Sequence, residues 1–207
     1  MKSFFYGPLI RGLLLCFVAL MLTQYSSART KEQDKVLPIG FYVRDIDGEV
    51  AYFALLSSKA TPDDLTQIQH HAQQYGASIL FLDKKYDDAK GLQQVSVGHV
   101  SPKYGRDRGV VVIRDAEEPA GIYCNRGFQY ALGMGQFNKR DVNKFYELPR
   151  IYKEMRKKPH ALYVNDVQIP QEQVEAVCNY SQFGVGDVRF IEVKRTGESY
   201  EVKIKTK

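Results

Sequence analysis

The residues best suited to chemistry lie in one short stretch between His99 and Arg108, which also holds Lys103, Tyr104 and Arg106. An imidazole can act as a general base near neutral pH, and Lys and Arg side chains can bind an anion. We therefore treat His99, Arg106 and Arg108 as candidate catalytic residues. No Ser, Cys or carboxylate stands beside them in a nucleophile motif, so catalysis is the alternative rather than the main prediction.

Other patterns that can bind a metal or cofactor are weak in this chain. His70 and His71 are adjacent, and neighbouring helix residues point about 100° apart, so they are not at metal-ligand spacing. Gly133 and Gly135 lack the strand and helix that flank a phosphate-binding loop. We expect neither a metal nor a cofactor.

A basic stretch spans residues 139–158, in which aromatic residues alternate with cations. It predicts contact with phosphates, anionic lipid head groups or an acidic partner surface. A solvated helix face is the simpler interpretation, and it stays open. The candidate binding residues are Lys144, Arg150, Lys153 and Arg156.

The first 28 residues have the pattern of a secretory signal peptide. Lys2 and Arg11 precede an uncharged apolar run, and Ser26 and Ala28 are small residues at the −3 and −1 positions of a cut before Arg29. The run is about ten residues, whereas roughly 20 are needed to span a bilayer. We expect cleavage near Ala28 and a periplasmic or secreted product, with a retained membrane anchor as the alternative.

Two cysteines remain after that cut, Cys124 and Cys178. In an oxidising compartment an even pair predicts a disulfide, which would close a loop of roughly 50 residues and stabilise the fold by ~4 kcal/mol. Two buried, unpaired thiols are the alternative. A redox-active function is not expected, since there is no Cys-x-x-Cys.

Composition and patterning favour an α+β fold. Lys and Arg total 29 against 24 Asp and Glu, a net charge of +5 that is too small for a dedicated nucleic-acid binder. The N-terminal core is predicted as a β-hairpin over 36–57 turning at Asp47-Gly48, a helix capped by Thr61 that ends at Gly76, and a buried strand over 78–82. That strand is expected to pair in parallel with the strand before the helix.

The rest of the chain divides into an irregular middle and a C-terminal β-α-β-β unit. The domains we predict are 1–28 (signal peptide), 29–158 (α+β core with its irregular middle) and 159–207 (the β-α-β-β unit, PDZ-like by the resemblance given below). The alternative is that the last two form one compact domain. The predicted elements are strands over 95–100 and 109–113 around a polar loop, loops or a short irregular helix over 115–138, a helix over 139–158 broken at Pro149, a strand over 161–164, a helix from Pro170 to Cys178, and a hairpin over 188–205.

Three C-terminal segments, 162–169, 172–177 and 186–197, resemble the second half of a bacterial PDZ-type domain. They match its strand, its groove-lining helix, and its Gly-Asp turn with the following Val-x-Arg-x-Gly strand. The resemblance implies docking of an extended peptide by strand addition, with Val174 and Val177 lining the groove. The unit over 53–83 also resembles thioredoxin-like periplasmic proteins of conjugative transfer machines, in which a strand ending in Ser precedes a Pro-x-x-Leu helix, as over 56–65. Because there is no Cys-x-x-Cys, this implies a structural relative without redox chemistry.

We therefore expect an exported, non-catalytic protein-binding or assembly component of the cell envelope, belonging to a secretion or conjugative transfer apparatus. Its partner would be another envelope or secreted protein, and nucleic acid is not expected. The alternative is a small exported hydrolase or transferase that uses the His99–Arg108 loop. A binding protein would bury His99 or leave it alone at the surface, whereas an enzyme would hold it in a cleft beside a carboxylate or hydroxyl.

Overall fold

Two β-sheets and three helices make up the part of the chain described by the computed structural model, namely residues 39–114, 119–126, 131–138, 140, 142, 147–179 and 187–207. The predicted signal peptide over 1–28 and the candidate Lys144 lie outside these residues. The helices are α1 Pro62–Gln74, α2 Leu148–Met155 and α3 Gln171–Asn179. The strands are β1 Gly40–Ile46, β2 Glu49–Leu56, β3 Ser78–Asp87, β4 Gly91–Ser101, β5 Gly105–Val112, β6 Ala120–Cys124, β7 Leu132–Gln136, β8 His160–Val164, β9 Val167–Gln168, β10 Val188–Thr196 and β11 Ser199–Thr206.

The larger sheet has eight strands in the order β7-β6-β2-β1-β10-β11-β8-β9, and the smaller has the order β3-β4-β5. Two pairings in the larger sheet, β1 with β10 and β11 with β8, are parallel. The pairing of β1 with β10 joins the start of the described chain to its end. The α+β class is confirmed, and the C-terminal β-α-β-β unit is present as β8, α3, β10 and β11, with the short β9 added.

Local signals in the N-terminal region are confirmed. Asp47 and Gly48 have φ values of 53° and 86°, as the tight turn between β1 and β2 requires. Thr61 and Asp64 form the predicted reciprocal capping box at the start of α1. Asp64 has a further contact that the sequence does not reveal: its Oδ1 lies 2.9 Å from Arg189 Nε, an almost buried ion pair that ties α1 to β10.

The larger sheet has a hydrophobic layer on each face. Successive side chains of a strand point to opposite faces, so Tyr52 and Ala54 enter one layer while Phe53 and Leu55 enter the other. The first layer is shared with α1 and the smaller sheet, and the second with α2 and α3. Burial on both faces also explains why β10 lacks a clean polar and apolar alternation.

Two expectations about the middle of the chain are wrong. β3 does not pair with β2 in parallel: it pairs antiparallel with β4, its immediate neighbour across a short turn, and β3 is buried on only one face. Residues 120–124 and 132–136 form strands rather than loops or irregular helix. Their glycines allow close packing, because a Cβ at Gly121, where φ is 152°, would lie 1.9 Å from the Ala54 carbonyl oxygen.

Two further differences concern predicted site elements. The expected loop over 101–108 is a short turn, and Arg106 and Arg108 lie on β5. α2 begins at Leu148 with Pro149 in its first turn, a position that needs no N–H donor. None of the helices in the described ranges has the length and apolar character needed to cross a membrane.

Candidate functional site

His99 lies in the core between the two sheets rather than at the surface. Its side chain is 0% exposed, and its Nε2 shares a hydrogen bond with the hydroxyl of Tyr52 on β2. Its Nδ1 has no hydrogen-bond partner among the described residues. The thiol of Cys124 on β6 interacts electrostatically with Tyr52 and Ser101, so these four side chains form one buried polar cluster.

The electrostatics of this cluster favour neutral groups. Burial lowers the pKa of His99 to about 4, although Asp107 on the neighbouring strand acts in the opposite direction. Burial also raises the pKa of Tyr52 and that of the Cys124 thiol, while Ser101, Lys103 and Tyr52 partly oppose the shift at Cys124. At neutral pH the cluster therefore holds an imidazole, a phenol and a thiol, not the imidazolium and thiolate of an activated nucleophile.

A cavity of about 630 Å³ lies beside this cluster, between the start of β5 and strands β6 and β7. Asp107 in its wall stands opposite His99 in the register of β4 and β5, but His99 itself does not line the cavity. Arg106 lines the wall, and Arg108 does not. Thus the structure separates the three candidate catalytic residues instead of assembling them. The lining residues are Tyr104, Arg106, Asp107, Tyr123, Ala131, Leu132, Gly133 and Met134.

The smaller sheet carries most of the exposed apolar surface. Among the described residues seven large hydrophobic side chains are exposed, and six of them belong to β3, β4 or β5; the seventh is Val167. Five of the six share the face that points away from the core, where each is 43% to 51% exposed. We call this surface the outer face; its apolar members are Leu80, Leu82, Val100, Val110 and Val112.

Cations border the outer face. In the strand register Arg106 lies beside Val100, Arg108 lies beside Gly98, and Lys85 lies beside Gln94. None of these three cations has an ion-pair partner among the described residues. The exposed carboxylate nearest to this face on β3 is Asp83, which lies in the bulge between Phe81 and Lys84. The sequence pattern predicts Arg106 and Arg108 as catalytic residues of a loop, whereas in the structure they lie on this surface.

The predicted basic binding residues of α2 occupy its solvent side. Arg150 and Lys153 are exposed, and Arg156 follows the last turn, also exposed. Residues of the opposite side of α2 pack in the core, as in an ordinary amphipathic surface helix. Nearby, Arg44 on β1 hydrogen-bonds to Glu154, which neutralises part of this helix face.

The two residues that the PDZ resemblance implies as groove-lining sit at different depths on α3. Val174 is 1% exposed and packs in the second core layer, and Val177 is partly buried against the same layer. Val174 therefore serves as a core residue in this structure, and its side chain is not on an open surface.

Cys124 and Cys178 are both buried and unbonded in the structure, and the disulfide between them stays a prediction. Cys124 belongs to the first core layer and Cys178 to the second, so the larger sheet lies between them. Burial raises the pKa of Cys178 to about 12 and also raises that of Cys124. The described residues contain no group of three or more His, Cys, Asp or Glu side chains that could hold a metal ion.

Comparison of the sequence with models of protein families gave no match, and neither the curated proteins nor the solved structures gave a significant match.

Proposed function

We propose that this protein is an exported, non-catalytic binding or assembly component of the cell envelope, and that it docks another envelope or secreted protein on its outer face. The observation that carries the proposal is the set of five half-exposed Leu and Val side chains gathered on one face of the smaller sheet. Contiguous apolar surface rimmed by polar groups is typical of protein–protein contacts.

The free energy gained by burying these apolar side chains can be compared with the cost of association. Complete burial of a Leu or Val side chain contributes about 1.5–3 kcal/mol, so covering a half-exposed one contributes on the order of 1 kcal/mol. Five such side chains supply about 5 kcal/mol, which is near the lower end of the cost of association, roughly 4–15 kcal/mol. The apolar side chains of this surface alone therefore leave at most about 1 kcal/mol for binding, so burial of the partner's own apolar surface and the bordering cations must supply the affinity.

The hydrolase or transferase alternative has less support. His99 is inaccessible and neutral, and the three candidate catalytic residues do not share a cleft. The pattern of residues 1–28 supports export, and a secretion or conjugative transfer apparatus is one setting in which such a binding component would act.

Position-specific photo-cross-linking in the cells that encode the chain tests the binding surface. A photo-reactive amino acid replaces Val110 on the outer face or, as the matched control, Val167, which is also exposed but lies on β9. We expect a discrete adduct from position 110 and none from position 167. Equal labelling at both positions, or no adduct at position 110, would remove the support for this surface.

Fractionation of the same cells, followed by the intact mass of the product, tests export separately. We expect a periplasmic or secreted species that begins at Arg29. An uncut, membrane-bound species would favour the anchor, and a cytoplasmic species would contradict export.

A further inference from the structure

We propose that the outer face binds an amphipathic α-helix of the partner protein, with carboxylates near the helix end that meets Arg106 and Arg108. This inference rests on the proposed function, and it adds the conformation and the charge of the segment that is bound. It follows from three properties of the surface, namely its relief, its dimensions and the placement of its charges.

The relief is a shallow channel along the central strand. On the outer face the floor of the channel is formed by the small residues Ser96 and Gly98 of β4, with Gln94 and Val100 at its two ends, while Leu80 and Leu82 stand on β3 at one side. Val110 on β5 stands beside Ser96 on the other side. On the β5 side the wall is apolar at Val110 and Val112 and basic at Arg106 and Arg108. A channel of this kind suits a single elongated element that carries both apolar and acidic side chains.

The dimensions suit a helix. Neighbouring strands are about 4.8 Å apart, so β3 and β5 are separated by roughly 10 Å, close to the diameter of an α-helix. Along β5 the face runs from Arg106 to Val112, a span of about 20 Å at ~3.4 Å per residue. A helix of about 13 residues has that length at 1.5 Å per residue.

The charges select an acidic partner. Arg106 and Arg108 are consecutive outer-face positions at one end of the channel, whereas the exposed carboxylate Asp83 lies in the β3 bulge toward the other end. Guanidinium groups bind carboxylates through paired hydrogen bonds. A second copy of this chain is a poor occupant, because two such faces would bring arginines against arginines.

The edges of the smaller sheet are less suited than its face to a bound segment. β3 carries Lys84, Lys85 and Asp87 along its outer half, and charges at a sheet edge discourage strand addition. β5 lies against β7: a Cβ added to Gly109 would be 2.9 Å from Met134 Sδ. An added strand therefore has little access to either edge.

A peptide exchange experiment on the isolated full-length protein tests the inference. The probes are two 14-residue helical peptides with the same leucine stripe, one ending in two glutamates and the other in two lysines. Binding is followed by fluorescence anisotropy and by shifts of the Ser96 and Gly98 amide signals. We expect on the order of tenfold preference for the glutamate peptide, the value that two exposed ion pairs supply.

Charge reversal provides the decisive variant. R106E/R108E should invert the preference toward the lysine peptide, whereas the control K59E/K194E, at two exposed lysines away from the outer face, should leave it unchanged. G98L should weaken both peptides by filling the channel, and it should still fold, since a Cβ at Gly98 meets Leu80 Cβ at an ordinary 3.8 Å. Equal binding of the two peptides, no binding, or preferential binding to phosphatidylglycerol vesicles would overturn the inference.

The outcome separates this inference from the proposed function. An adduct at position 110 in cells, combined with no preference for the glutamate peptide, would keep the binding surface and reject the acidic helix. If there is neither an adduct at position 110 nor a preference for the glutamate peptide, both the binding surface and the acidic helix are rejected.

Discussion

The two sheets of this protein bury their strands differently. In the larger sheet β1, β2 and β10 are covered on both faces and hold nearly continuous apolar runs. In the smaller sheet β4 and β5 alternate, with one set of side chains in the core and the other at the surface, yet many surface positions are also apolar. Because apolar residues of the smaller sheet stay exposed in the described part of the chain, we expect the larger sheet to contribute most of the stability and propose the smaller sheet as the surface for recognition.

The two sheets should differ most in how much unfolding free energy is lost when one large side chain is removed from each. Phe53 on β2 is 0% exposed, and its ring packs edge-on against Phe137 with centroids 5.3 Å apart. Phe53→Ala should lower the free energy of unfolding by about 3–5 kcal/mol, whereas Leu80→Ala on the outer face should lower it by less than about 1 kcal/mol. Urea unfolding measures both. Equal losses would show that a covering element stabilises Leu80 in the free protein.

An effect of similar size is expected from the ion pair that joins α1 to the larger sheet. Asp64 and Arg189 are both almost buried, so Asp64→Ala removes a buried carboxylate from the Arg189 guanidinium and also removes the helix cap. Such a loss should cost roughly 3–5 kcal/mol. Glu49→Ala, which breaks exposed pairs with Lys103 and Arg126, should cost less than about 1 kcal/mol. A small effect at Asp64 would mean that Arg189 finds another acceptor.

The interface between the two sheets should make the protein sensitive to acid. The pKa of His99 is about 4 when folded and 6.5 ordinarily, so the unfolded chain binds more protons between these values. Its contribution to stability is therefore complete above pH 6.5 and is lost as the pH falls toward 4, by about 3 kcal/mol.

Urea unfolding across this pH range isolates the contribution of His99. In the variant His99→Gln, the free energy of unfolding should depend less steeply on pH between 4 and 6.5. His71→Gln, at a half-buried histidine on α1 whose pKa burial also lowers, serves as the control and should leave most of the slope in place. An unchanged slope in His99→Gln would assign the acid sensitivity to other groups.

The smallest expected changes in unfolding free energy come from substituting two neighbouring residues of β5. Val111 is 0% exposed and packs in the first core layer, while Val110 lies on the outer face. Val111→Ala should cost about 2 kcal/mol of unfolding free energy, and Val110→Ala less than about 0.5 kcal/mol. Thermal or urea unfolding checks the pair, and only Val110→Ala should weaken partner binding. A reversed order would place the wrong face of β5 in the core.

Local sequence signals predicted the elements that depend on local chemistry. Thr61, Pro62 and Asp64 specify the start of α1, and Asp47-Gly48 specifies the first turn, because each involves hydrogen bonds or φ values within a few residues. The glycines of β6 and β7 were misread, because the contacts that require them involve β2 and Tyr123 rather than their own turns.

The sequence predicts the candidate site less well than it predicts the fold. His99, Arg106 and Arg108 were recognised as one cluster, but strand alternation sends His99 into the core and the two arginines to the opposite face. The sequence also shows Leu80, Leu82, Val110 and Val112 within apolar runs that look like buried strands. No local sequence pattern indicates which face of those strands remains uncovered by other elements.

By itself the sequence determined the α+β class, the two local hairpins and α1, since periodicity, capping and turn chemistry act over short distances. Only the tertiary structure decided that β3 joins β4 instead of β2, that Cys124 and Cys178 lie in separate layers, and that the smaller sheet keeps one face open. These features depend on which strands pair over long range and on which faces other elements cover, and a local pattern of residues carries neither kind of information.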